Sequence, residues 1–154
     1  MFEKLKARLF GRKEPPQPRF NRFSDEQYKL HYELKKRAME SILGEMSDLM
    51  RHSIVPLRQG GIVDMYYFPN AIEGTGFATM ELIEPDGSGP QPSRIGTYEL
   101  VAFTRRKLND GDAFKQIEPR LHYILTGLAL YSYEAELNPY DTIEWPPLKG
   151  QPPM

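Results

Sequence analysis

The spacing of apolar residues changes once along the chain, and this change constrains the fold more than any other feature. From Ser24 to Arg51 the apolar residues recur every three or four positions, which predicts one long helix. Ser24 and Gln27 form a capping-box pattern at its start, and Gly44 is a weak point near its end. The predicted core face of this helix comprises Leu30, Leu34, Ala38, Met39, Ile42, Leu43, Met46 and Leu49.

Three strand-like segments follow the predicted helix. "GIVDMYYFP" (61–69) and "GFATMELIEPDG" (76–87) are rich in β-forming residues, and "RIGTYELVAFTRR" (94–106) alternates between two faces. The Gly- and Pro-rich loop between the last two segments predicts a hairpin connection. A narrow apolar stripe after "NDGD" predicts a second helix with Pro119 in its first turn, and "TIEW" is a candidate short strand. This order of elements predicts an α+β fold.

The N-terminal 22 residues differ in composition from the rest of the chain. They form a basic segment that ends in the proline-rich linker "EPPQP", and we interpret residues 23–154 as one domain. Residues 1–11 have the pattern of a short basic amphipathic helix, but so short a segment is better interpreted as a frayed terminus than as a membrane anchor. No run of about 20 apolar residues occurs and cysteine is absent, so we expect a cytoplasmic protein without disulfides.

The residue types that carry catalysis or bind metals are sparse. The three histidines are far apart and lack companion ligands, so we expect no metal site, and we interpret His31 and His122 as structural. The short glycine clusters lack the context of a phosphate-binding loop, and we expect no cofactor. Glu81 and Glu99 lie within predicted strands, where solvent-facing positions paired with Arg94, Arg105 or Arg106 are the favoured interpretation. The alternative is a small hydrolase that uses Glu81, Glu99 or Asp64.

The segment near the C-terminus combines acidic and aromatic residues. Up to Arg58 the chain carries 13 Lys and Arg against 8 Asp and Glu, and from Gln59 onward it carries 7 against 13. No basic residue lies between Tyr131 and Trp145, a stretch that contains Glu134, Glu136, Tyr140, Asp141 and Glu144. This pattern suits a surface that binds a basic or extended peptide, and it disfavours nucleic acid, whose phosphates require cations. By spacing alone, a core edge with solvated acids is equally well supported.

Two stretches of the chain resemble the suppressor-of-fused domain family. They are "GTYELVAFTRRK" (96–107) and "GLALYSYEAELNPYDTIEWPPL" (127–148), and the resemblance covers about residues 60 to 148. The family has a strand of aromatic-Glu-Leu type, a helix that ends Gly-Leu-Ala-x-Tyr and, after an acidic loop, an Asp-x-x-x-Trp motif. The matching residues here are Tyr98, Glu99 and Leu100, then Gly127, Leu128, Ala129 and Tyr131, then Asp141 and Trp145.

The resemblance implies an α+β sandwich around a mixed sheet that binds protein without catalysis. In the animal member a tyrosine and an aspartate hold a peptide that adds as a strand, and by motif they fall on Tyr131 and Asp141. With Glu134, Glu136 and Tyr140 these are the predicted partner-binding residues, and we expect Leu128 and Trp145 in the core. Bacterial relatives are suspected immunity proteins that occlude a toxin. The family domain continues beyond its tryptophan, so we expect this chain to be a shortened version or a fragment.

Overall fold

The computed structural model describes residues 22–143, which comprise two long helices and a four-stranded sheet. Helix α1 spans Asp25–Leu43, and helix α2 spans Asp112–Ser132. The strands are β1 (Met50–Arg51), β2 (Met65–Phe68), β3 (Thr75–Ala78) and β4 (Val101–Thr104), and a 3-10 turn spans Leu57–Gln59. All of the predicted basic segment 1–22 except Arg22, together with Glu144 and Trp145, lies outside the described residues.

The α+β class is confirmed, and the described sheet has the order β1-β2-β3-β4. In place of the mixed sheet that the resemblance implies, each neighbouring pair of these strands is antiparallel. The predicted pairing of the second and third strand-like segments is confirmed, because β3 pairs with β4 with Phe77 opposite Ala102.

Strands β2 and β3 at the centre of the sheet are buried on both faces. Because successive side chains in a strand point to opposite faces, Met65 and Tyr67 join the cluster that contains Phe114 and Leu125 of α2. Tyr66 and Phe68 join a second cluster. That cluster contains Leu43, Ala78 and Met80, with Tyr32, Met39 and Met46 packed against it. The core therefore has two layers, one beneath each helix.

Helix α1 begins where the sequence predicts but presents a different face to the sheet. The capping box of Ser24 and Gln27 is present. The prediction that the helix continues to Arg51 is wrong, because Gly44 ends it with a φ of 84° that favours glycine and Met50–Arg51 form β1. The prediction that Leu30, Leu34, Ala38, Ile42 and Leu49 lie in the core is wrong, because all five side chains are exposed.

Polar contacts determine which face of α1 is buried. The Lys35 ammonium donates hydrogen bonds to the carbonyl oxygens of Met80 and Ile83, and His31 Nε2 donates to the same Ile83 oxygen at 2.8 Å. The ring of Tyr32 lies 6.0 Å from that of Tyr66 on β2. These contacts turn the leucine stripe of α1 away from the sheet.

Helix α2 begins earlier than predicted, so Pro119 lies inside it and not in its first turn. A proline there lacks the N–H that would bond one turn back, at a cost of about 3 kcal/mol. The preceding turn carries Phe114, which is buried and stacks on Phe77 with the ring centroids 5.9 Å apart. Burial of this ring offsets the cost of the proline and keeps the first turns helical.

Candidate functional site

The acidic segment after α2 is held in place by a neighbouring loop. The main-chain N–H of Gln91 donates to the carbonyl oxygen of Ser132 at 2.7 Å, at the end of the helix. Farther along, the N–H of Arg94 donates to Asn138 Oδ1 at 2.9 Å, and the Arg94 guanidinium lies 3.5 Å from the carbonyl oxygen of Pro139. The segment therefore has a defined position on the protein.

A tight turn at the end of the segment projects an aromatic ring. The N–H of Asn138 donates to Asp141 Oδ2 at 2.8 Å, and the N–H of Asp141 donates to the carbonyl oxygen of Asn138 at 3.1 Å. Between them Tyr140 is 96% exposed and has a φ of 75°. Positive φ is uncommon for a residue with a bulky side chain and marks a local conformation that its surroundings impose.

The five predicted partner-binding residues lie on one continuous stretch. Tyr131 is half-buried in the last turn of α2, whereas Glu134, Glu136, Tyr140 and Asp141 are exposed. Leu128, expected in the core, is half-buried, and Thr142 and Ile143, the first two residues of the candidate strand "TIEW", are not in a strand.

Arg94 is the residue of this surface that sequence reasoning missed. Its main-chain N–H reaches Asn138 across 44 positions of sequence, so no local pattern signals the contact. Its guanidinium lies near the carbonyl oxygen of Pro139, on a segment that carries the exposed carboxylates of Glu134, Glu136 and Asp141. Among the described residues of the segment the charge balance remains negative.

The carboxylate of Glu99 is buried and saturated with hydrogen bonds. Its side chain is 3% exposed and lies 2.8 Å from the ammonium of Lys35. It also accepts hydrogen bonds from the hydroxyl of Thr79 and from the main-chain N–H groups of Leu82 and Ile83. The expected solvent-facing position paired with Arg94, Arg105 or Arg106 is wrong, because the partner is Lys35 on α1. A carboxylate with all its acceptor positions filled is structural.

Asp64 and Glu81 form a second acidic pair with a histidine beside it. The N–H of Asp64 donates to Glu81 Oε1 at 2.7 Å, and the Asp64 carboxylate accepts from His52 Nδ1 at 2.9 Å and from the N–H of Ser53 at 2.7 Å. Burial raises the pKa of Glu81 to about 7, and the charges of Asp64 and Glu99 contribute in the same direction. Glu81 is half-buried, so the expected solvent-facing position is wrong here too.

The other two histidines are structural, as predicted. His122 is buried and its Nε2 donates to the carbonyl oxygen of Val63 at 2.7 Å, while His31 bonds to Ile83. Within residues 22–143 no three His, Asp or Glu side chains are arranged to hold a metal ion. Neither of the helices described has the length and apolarity to cross a membrane.

Comparison with known protein families, with curated proteins and with solved structures finds no match to this chain. The resemblance to the suppressor-of-fused family therefore depends on the sequence motifs at 96–107 and 127–148.

Proposed function

We propose that the chain is a non-catalytic protein-binding module of the suppressor-of-fused-like type, and that it binds its partner with the surface formed by residues 131–141. The observation that carries this proposal is Tyr140, whose ring is 96% exposed at a φ of 75° on a turn closed by Asn138 and Asp141. The turn fixes the main chain that carries this ring, so less backbone entropy is lost on contact. Tyrosine is also one of the residues enriched at protein interfaces.

The charge of this surface favours a basic partner. Glu134, Glu136 and Asp141 are exposed on the same segment as Tyr140, and the Arg94 guanidinium lies near the carbonyl oxygen of Pro139 in that segment. Uncompensated charge of one sign accelerates encounter with a partner of the opposite sign and disfavours acidic competitors.

An extended peptide is the form of partner that the fold best accommodates. Strand β4 lies at an edge of the described sheet, and its Val101 and Phe103 are 40% and 47% exposed. An edge strand offers unpaired main-chain groups to which another strand can add. The finer proposal, which follows from the resemblance, is a bacterial immunity protein that occludes a basic segment of a toxin.

Selection of random peptides displayed on phage tests the proposal without assuming any partner sequence. We expect wild-type protein to enrich peptides rich in Lys and Arg, and Tyr140→Ser to lose that enrichment while keeping its melting temperature. Glu73→Arg is the matched control, because Glu73 is an exposed acid outside the segment. Enrichment that is unchanged in Tyr140→Ser, or lost equally in the control, would contradict the proposed surface.

A small carboxylate-dependent hydrolase is the second candidate function, and the pair Asp64 and Glu81 favours it. A carboxyl with a pKa of about 7 is suited to act as a general acid near neutral pH. Asp64 orients the ring of His52, which is 70% exposed and open to water, a poor setting for excluding solvent from a reaction. This function ranks second for that reason. A panel of chromogenic esters, phosphoesters and glycosides tests it, with activity that Glu81→Gln abolishes as the supporting result.

A further inference from the structure

The outer edge of strand β4 carries main-chain groups that have no partner among residues 22–143. The N–H of Thr79 donates to the carbonyl oxygen of Leu100 at 3.0 Å, so the main-chain groups of Leu100 face β3. Because bonded and non-bonded pairs alternate in an antiparallel ladder, the N–H and C=O groups of Val101 and Phe103 point away from β3. This edge can therefore accept a further strand.

The side chains of Val101 and Phe103 form a short apolar row along this edge. Successive strand residues point to opposite faces, so these two side chains share one face of the sheet. They are 40% and 47% exposed, whereas Ala102 between them packs against the core cluster beneath α2. Side chains directly opposite each other in paired strands are in contact. We therefore expect apolar residues opposite Val101 and Phe103 in an added strand.

A cationic run, residues 105–107, follows β4 directly. Arg105, Arg106 and Lys107 are exposed, and none of them forms an ion pair within the part of the chain that the structure describes. The Thr75 hydroxyl donates to the carbonyl oxygen of Arg106 at 2.8 Å, which fixes the main chain of the run. The run therefore presents free cations at a defined position at the C-terminal end of the edge.

Two exposed acids adjoin the cationic run without cancelling its charge. Asp110 Oδ2 accepts the main-chain N–H of Lys107 at 2.8 Å, and Glu73 precedes Gly74, which packs on the main chain of Arg105. Three cations against two acids leave this end positive.

The other end of the edge lies beside the acidic segment 131–141. The main-chain N–H of Arg94, in the turn that leads through residues 97–100 into β4, donates to Asn138 Oδ1 at 2.9 Å. Arg94 is one cation against three exposed acids, those of Glu134, Glu136 and Asp141. The two ends of the edge therefore carry opposite charge.

We propose that the extended peptide bound by this protein is bipolar and adds to β4 antiparallel, with acidic residues toward its N-terminus and basic residues toward its C-terminus. Antiparallel pairing is the commoner and the slightly more stable arrangement, and it places the N-terminal end of the peptide at the cationic run. Two apolar residues, separated by one position, lie opposite Phe103 and Val101, and the basic residues lie beside the segment 131–141. This inference rests on the proposed function and adds the direction and the acidic end of the peptide.

Three fluorescein-labelled peptides test the direction, with binding to the full chain measured by fluorescence anisotropy at low ionic strength. The first reads Glu-Glu-Thr-Ile-Thr-Val-Thr-Ser-Lys-Lys from its N-terminus, and the second exchanges the two glutamates with the two lysines. The third has glutamines in place of the glutamates. We expect the first peptide to bind about tenfold more tightly than either of the others, because only it meets opposite charge at both ends.

Charge reversal on the protein tests the cationic run. Arg105→Glu/Arg106→Glu should weaken binding of the first peptide by about tenfold and should not weaken binding of the glutamine peptide. A peptide with lysines at both ends should bind this variant more tightly than the first peptide does. Lys29→Glu/Arg37→Glu is the matched control, because both residues are exposed on α1 and the net charge changes equally. Far-UV circular dichroism verifies that each variant folds.

Main-chain methylation of the first peptide separates strand addition from charge attraction. In the proposed register the N–H of the isoleucine faces β4, and methylation of that nitrogen should weaken binding by about tenfold or more. Methylation of the threonine that follows is the control, because its N–H faces away from β4 and binding should change little.

Four outcomes would overturn the proposal. Equal affinity for the first two peptides, or tighter binding of the second, contradicts the direction. Equal affinity for the first and third contradicts the acidic end but leaves the proposed basic partner standing. Equal effects of the two methylations contradict addition to β4. If none of the three peptides binds, the proposed function fails together with this inference.

Discussion

The two helices of this protein attach to the same sheet by different means. Helix α2 packs with apolar side chains, including Phe114, Leu125 and Ala129, which are buried against one face. Helix α1 packs with Leu43, Met39 and Tyr32 against the other face and is also held by hydrogen bonds from Lys35 and His31, while its most regular apolar stripe faces solvent. An apolar stripe therefore predicts a helix, but it does not by itself determine which side of that helix packs against the core.

The largest expected effect comes from removing the anion that holds α1. In Glu99→Leu the ammonium of Lys35 stays buried without a counter-ion, and the N–H groups of Leu82 and Ile83 lose their acceptor. We expect a loss of about 4 kcal/mol in the free energy of unfolding, measured by urea denaturation. The double variant Lys35→Met/Glu99→Leu should recover much of the loss. If Glu99→Leu were nearly neutral, polar contacts would not be what holds α1.

The corresponding change in α2 removes an apolar contact. Phe114→Ala leaves a cavity beneath the first turn of the helix, next to Tyr67 and Phe77, and we expect a loss of about 3 kcal/mol. Because Phe114 offsets the cost of Pro119, the first turns of α2 should also fray, and faster amide hydrogen exchange in residues 112–118 would report it. Exchange that rises evenly over the whole chain would contradict this account.

The pH dependence of stability tests the buried environment of Glu81. Burial raises the folded-state pKa of Glu81 from 4.5 to about 7, so the folded protein binds this proton more tightly than the unfolded chain. The resulting stability is fully present below pH 4.5 and is lost as the pH rises through 7. We expect wild type to lose on the order of 2 to 3 kcal/mol more than Glu81→Gln over this window. Parallel pH profiles of the two proteins would contradict the raised pKa.

The smallest expected effect is on the exposed stripe of α1. Ile42→Ser should change the free energy of unfolding by less than about 0.5 kcal/mol, because the side chain is 79% exposed. Its neighbour Leu43 is buried, and Leu43→Ala should cost about 2 kcal/mol or more. Both values are measured by urea denaturation. Equal costs for the two changes would mean that α1 is rotated relative to the structure.

Local signals along the chain predicted both helices and the three longer strands in their order. The capping box at Ser24 marks the start of α1, and the segments 61–69, 76–87 and 94–106 each contain residues of a strand. The predicted end of the first helix at Arg51 is wrong, because the helix ends at Leu43 and Met50–Arg51 form β1. The start of α2 was missed, because Pro119 is a strong local signal and the burial of Phe114 that overrides it depends on distant residues.

The candidate binding segment, residues 131–141, was also predicted only in part, because one of its contacts joins residues that are distant in the sequence. The run of acids without a basic neighbour predicts a charged surface, and the exposure of Glu134, Glu136 and Asp141 agrees with that. The turn at Asn138 to Asp141 and the approach of Arg94 were not predicted, since the latter is a contact between distant positions.

By itself the sequence determined the α+β class, both helices, the region of each long strand and the acidic character of the segment after α2, because these properties depend on residues close together in the chain. Only the tertiary structure decided that Glu99 is buried against Lys35, that the pKa of Glu81 is raised, and that the leucines of α1 face solvent. These outcomes depend on which distant groups become neighbours. Lys35, for example, meets the carbonyl oxygen of Ile83 across 48 positions, and no local pattern encodes that contact.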